Sequence, residues 1–127
     1  MGRKRYVVEI GSGADLHGGD VTKAAQRAVK DAISRSCLCG LFDILGIDSP
    51  QQMHVAIKLG VPHPEQIRKA EVLEMIPFGT TELEIVTGGL AVRGLNLPEL
   101  GAGDTIVIAV AALTVYVDVE LEVRSRE

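Results

Sequence analysis

Residues 105–123 read TIVIAVAALTVYVDVELEV, a run of β-branched and small apolar residues without Pro or Gly, which predicts a strand. Ile106, Val107, Ile108, Ala109 and Val110 are apolar at five consecutive positions. Successive side chains of a strand point to opposite faces, so this strand is apolar on both and needs cover on both. At roughly 3.3 Å per residue the whole stretch would exceed about 60 Å as one straight strand, which predicts a bend or bulge near Ala111-Ala112. As a helix, the apolar run from Ile106 to Val117, interrupted by Thr114, is too short to span a bilayer, which takes about 20 residues.

The rest of the chain has to supply that cover. Arg5 to Ile10 alternates, with Tyr6, Val8 and Ile10 on one side and Arg5, Val7 and Glu9 on the other, and reads as a strand. GSGADLHGG (11–19) reads as a Gly-rich turn that ends it, and Asp20 as the N-cap of a helix from Val21 to about Ser36. Val21, Ala24, Ala25, Ala28, Val29, Ala32 and Ile33 form the apolar stripe of that helix, and its alanines let it sit close to a sheet. Cys37–Ile47 is apolar and fits a short helix or a strand; Asp48-Ser49-Pro50 is a turn. Met53, Val55, Ile57 and Leu59 face one way, and His54, Ala56 and Lys58 the other, in a second strand. Pro62-His63-Pro64 stops it, and Pro64 opens a second helix that Pro77 closes. Thr81–Thr87 is a third strand, broken by Gly88-Gly89.

The predicted fold is therefore a single α/β (α+β) domain over residues 1–127, in the order β-α-β-α-β-β, with helices on one face of the sheet. Two helices cover one face only. Burying the other against copies of the same chain is the simplest solution, which predicts a ring-like homo-oligomer of three or more chains.

Composition narrows the partners. The 127 residues are 46% hydrophobic and 24% charged, the balance of a globular domain rather than a disordered chain. Aromatics are 3% with no Trp, and the net charge is −4 from 17 acidic and 13 basic residues. Neither a base-stacking surface nor a basic face is available beyond Arg3-Lys4-Arg5, so nucleic acid is not an expected partner, and neither is a membrane. No apolar segment with a cleavage site follows that basic start, as a signal peptide would require. Cys37 and Cys39 are two residues apart on a segment read as helical or leaving a helix, where they do not face each other. A reduced, cytoplasmic setting fits.

Three clusters carry candidate chemistry. In GSGADLHGGDVTK (11–23), Gly11 and Gly13 free the backbone and the helix start offers N–H groups to an anionic or polar ligand near Gly13, Asp15, His17 and Asp20. Asp15, His17 and Asp20 are also donors a divalent metal accepts. Equally, Asp20 can simply cap the helix while the glycines turn the chain. The spacing matches neither a Walker loop nor a dinucleotide fingerprint. On the second strand, His54 and Lys58 share the polar face. A lysine that loses solvation there can act as a base, whereas an ordinary exposed strand face would leave both in water. In IVTGGLAVR (85–93), Thr87 offers a hydroxyl beside the Gly88 and Gly89 N–H groups; a bulge or bend explains the same pair. Cys37-x-Cys39, with no further Cys and no nearby His, reads as core rather than as a zinc site, and the sequence leaves the cofactor unknown.

Together, GADLHGGDVTKAAQRAVKDAISR (13–35), MHVAIKLGVPHPE (53–65) and TGGLAVRG (87–94) resemble a family of conserved hypothetical proteins of bacteria and archaea first named from a Listeria protein. That resemblance spans nearly the whole chain and implies no activity. MHVAIKLGVP (53–62) also resembles a strand of the cyanuric acid hydrolase and barbiturase family that ends in a catalytic lysine, in a fold of three repeats like the subunits of trimeric imine-deaminase-like proteins. This second resemblance implies a ring with sites between subunits and a hydrolase of cyclic amides or imines, with Lys58 as base. The family's serine before glycine is replaced here by Thr87 before Gly88-Gly89, which would supply the nucleophile and the oxyanion donors. A non-catalytic ring that binds a small anionic metabolite and a structural oligomer are the alternatives.

Overall fold

The computed structural model describes residues 2–77, 79–100 and 103–119. Five strands form one sheet: β1 (Gly2–Asp15), β2 (Met53–Val61), β3 (Thr80–Thr87), β4 (Leu90–Arg93) and β5 (Thr105–Val119). The order is β1-β5-β2-β3, with β4 also paired to β5. β5 is antiparallel to β1, β2 and β4, while β2 and β3 run parallel. The helices α1 (Val21–Ile33), α2 (Gly40–Asp43) and α3 (Lys69–Leu73) connect them. This is the predicted α/β architecture with helices on one face, and Cys37–Ile47 contains a short helix rather than a strand. Among the described residues no helix is long and apolar enough to cross a membrane.

The stretch that decides the architecture is the central strand. Val107, Ala109, Ala111, Leu113, Val115 and Val117 are buried beneath the helices, and Met53, Val55, Ile57, Leu59 and Val61 of β2 join them. β5 runs on through Ala111-Ala112 in unbroken register with β1, so no bulge interrupts it there. Its length is accommodated by sharing one side between two partners: β2 pairs with Val110–Val117 and β4 with Thr105–Ile108. The irregularity lies instead in β1, between Arg5 and Val7. Ladder bonds hold both sides of β5, whereas an edge strand can take up an extra residue on its free side. The predicted continuation of this strand over 120–123 lies outside the described residues.

The second correction concerns Gly11 and Gly13. They do not end the strand; β1 continues to Asp15, with Gly11 opposite Ala111 and Gly13 opposite Ala109. A Cβ on Gly11 would stand 2.3 Å from the Ala28 carbonyl oxygen, and one on Gly13 would stand 2.4 Å from the Ala28 nitrogen. The glycines are there to seat α1, whose Ala24, Ala25, Ala28 and Ala32 are at most 2% exposed. Helix and sheet thus approach backbone to backbone, and few large side chains are needed in this layer. α1 stops at Ile33 rather than Ser36: the Ser34 hydroxyl donates back to the Asp31 carbonyl, an alternative to continuing the helical ladder. The second predicted helix is also shorter, a 3-10 turn at Pro64–Gln66 followed by α3.

Candidate functional site

The segment after β1 is built around carboxylates. Asp15 is buried and accepts the Asp20 N–H at 2.8 Å, with Arg27 3.7 Å away. Asp20 accepts the Thr22 and Lys23 N–H groups at 3.0 and 3.1 Å, and the Arg68 guanidinium lies 3.4 Å from it. Burial pushes the Asp20 carboxyl up, but the amides of Lys23 and Thr22 and the charge of Arg68 outweigh it and hold the group below the usual aspartate value. Asp20 is therefore the helix cap, with the Thr22 and Lys23 N–H groups turned to its own carboxylate. Among the described residues no three His, Cys, Asp or Glu side chains are placed to hold a metal ion. His17 is half-buried, and its Nδ1 is enclosed without a hydrogen-bond partner among the described residues.

Gly88 and Gly89 serve a crossing. After β3 the chain passes over the end of β2, where the Gly88 N–H donates to the Val61 carbonyl at 2.9 Å, and joins β5 as β4. Gly89 has φ +65°, and a Cβ on it would stand 2.0 Å from the Ile108 carbonyl oxygen. A Cβ on Gly88 would press on Gly60 at 3.3 Å. Thr87 is exposed and pairs with Val61, whereas Lys58 pairs with Glu84. Within one chain the two candidates are thus three residue pairs apart, roughly 10 Å along the strand, and alternation turns them to opposite sides.

Lys58 and His54 lie on the face of the sheet that no helix covers. His54 Nδ1 is 2.7 Å from the Thr80 hydroxyl and its Nε2 3.2 Å from a Glu82 carboxylate oxygen, with Tyr116 tilted against the ring. The Arg3 guanidinium sits 5.9 Å above Tyr116. Beside this polar strip runs an apolar band. Val8 and Ile10 of β1 stand opposite Thr114 and Ala112, Val110 and Ile108 follow on β5, and Leu90 and Val92 of β4 stand opposite Ile108 and Ile106. Ile10 is 68% exposed and Leu90 61%.

A cavity of about 250 Å³ opens on the other, helix-covered side, where the chain leaves α1. Ile33, Leu38, Met53, Val55, Leu113 and Val115 form its apolar wall. Glu9 also lines it; it stands opposite Leu113 on β1, and the Ser36 hydroxyl donates to it at 2.5 Å. Cys37 and Cys39, free and exposed rather than in the expected core, complete the rim. The sequence reading does not single out Glu9 or Ser36, and it considers Cys37 and Cys39 as a zinc pair only to set that reading aside. The alternation of Tyr6, Val8 and Ile10 draws attention to the opposite face, although the irregularity between Arg5 and Val7 turns Tyr6 itself toward Gly40 on the helix side. The carboxylate beneath the helices becomes conspicuous only once β1 is paired with β5.

The comparisons agree with this fold. The family model described as conserved hypothetical protein (Lin0512_fam) matches residues 5–115. A crystal structure of an FtsZ-like protein of unknown function from Nostoc punctiforme PCC 73102 superposes with a TM-score of 0.84 at 42% identity, covering 93% of this chain and 98% of that one. No curated protein matches. With the family pattern running over nearly all of the described sheet, the chain belongs to the Lin0512 family of conserved hypothetical proteins.

Proposed function

We propose that the protein works as a ring-like homo-oligomer of three or more chains, assembled so that the uncovered faces of the sheets turn inward. The observation that carries this reading is the apolar band of Val8, Ile10, Leu90, Val92 and Val110, each large and exposed in the single chain. Large contiguous apolar patches on a monomer mark surfaces that another molecule covers. Two further features fit a head-to-tail arrangement. β1 and β3 are the outer strands of the sheet and run in the same direction, so β1 of one copy can extend the neighbour's sheet beside β3. Such a contact is heterologous and generates rings. On β1 the Ser12 N–H and Ala14 C=O are already engaged by Asp31 and Arg27, which leaves the stretch before Gly11, comparable in length to β3, for pairing. The charges match as well, because Arg3 and Arg5 lie on β1, and Glu82 and Glu84 on β3.

Assembly of this kind would enclose His54, Lys58, Glu82 and Glu84 together with the apolar band. A hydrolase of cyclic amides or imines at the subunit boundary rests on Lys58 being drawn out of water there. Its nucleophile would come from a neighbouring copy, since Thr87 of the same chain is turned away.

Multi-angle light scattering of the protein and of the Ile10→Lys, Val110→Lys double variant tests the proposal. The expected result is a mass of at least three chains that collapses to one in the variant. A parent protein that is monomeric across the concentration range contradicts it.

A further inference from the structure

We propose that the cavity beside Glu9 is a binding site for a small apolar molecule that carries one protonated amine. The cavity lies on the helix side of the sheet, so the inference does not depend on how the open faces associate. Its wall is aliphatic, with Val55, Leu113 and Val115 as the floor, and its volume of about 250 Å³ admits a ligand of one ring and a short chain. A pocket of this kind gains affinity from apolar burial and selectivity from the few polar groups that converge on it.

Here the charged group is a single carboxylate. Glu9 is half-buried, and its bond from the Ser36 hydroxyl fixes one oxygen. An ionised carboxylate accepts several hydrogen bonds, so the group retains acceptor capacity toward the cavity. Among the described residues no lysine, arginine or histidine forms an ion pair with it. An ammonium group at the mouth would supply the missing positive charge, through a charge-assisted hydrogen bond stronger than a neutral one. A carboxylate ligand would instead face like-charge repulsion, and a neutral alcohol would gain only an ordinary hydrogen bond. Cys37 and Cys39 stand at the rim and serve as reporters, because a bound molecule shields them.

The test titrates the full chain with 2-phenylethylamine, 2-phenylethanol and phenylacetate, reading heat and the rate at which iodoacetamide alkylates Cys37 and Cys39. The amine is expected to bind saturably, at least about tenfold tighter than the alcohol, with phenylacetate weakest, and to slow alkylation. Glu9→Gln keeps shape and removes charge, so it should bring amine and alcohol to equal affinity; Ser36→Ala should weaken amine binding by a smaller factor. The proposal is overturned if the amine shows no saturable binding, if the alcohol binds as tightly as the amine, or if Glu9→Gln leaves the preference for the amine intact.

Discussion

The two sides of this sheet are made from the same kinds of residue and have opposite fates. Along β5, Val107, Leu113 and Val115 are at most 1% exposed, while Val110, on the same strand, is 45% exposed. Across β1 the contrast is sharper: Gly11 and Gly13 lie against the backbone of α1, and Ile10 between Glu9 and Gly11 projects from the uncovered face. Hydrophobicity therefore does not distinguish core from surface in this chain. What distinguishes them is whether the chain itself supplies a layer, and here α1 and α3 supply one layer for two apolar faces.

The largest expected effect is on the covered side. Gly13→Val would drive its side chain into the backbone of α1 and should cost about 3 kcal/mol or more, measured by urea unfolding. Its neighbour Ser12, on the open face, should accept the same substitution with little change in the unfolding of a dispersed chain. Equal losses at the two positions would break the contrast.

Next comes Leu113→Ala, which should lower stability by about 3 kcal/mol at every protein concentration, because its cover is intramolecular. Ile10→Ala should behave differently. Its cover would come from another copy, so its cost should grow with protein concentration. A concentration-independent cost for both would mean that no second copy covers Ile10.

A smaller effect belongs to Asp20. Asp20→Ala removes the cap of α1 and should cost about 1 kcal/mol at neutral pH. The folded carboxyl titrates below its ordinary value of 3.8, so the contribution is complete above that value and lost as pH falls through the folded one. Parent and variant should therefore converge in acid. Asp20→Asn retains an acceptor for the Thr22 and Lys23 amides and should lose less.

Much of this arrangement is legible in the sequence. The strict alternation from Met53 to Leu59 assigns faces to β2 without help, and the alanine stripe of α1 announces a close helix–sheet contact. Gly11 and Gly13 are the instructive failure. Glycine in a sequence signals freedom of backbone or freedom of space, and only the packing partner tells which. Neither residue has positive φ, and both face helix backbone. Glu9 was hidden for a related reason, since a carboxylate in an alternating strand reads as solvent-facing until the other side proves to be the uncovered one. The short strand β4 was concealed by the glycine pair before it, which reads as a break although the chain resumes pairing within two residues.

The measurement that bears most directly on the two-sided account is thiol labelling of Val110→Cys in the native protein, with Cys37 and Cys39 as internal references on the helix side. The account predicts that Cys37 and Cys39 are alkylated rapidly while the thiol introduced at 110 is protected until the assembly is diluted or denatured. A thiol at 110 that reacts as fast as Cys37 and Cys39 in the undiluted protein would mean that the open face is bare in solution, and the proposed assembly would be wrong.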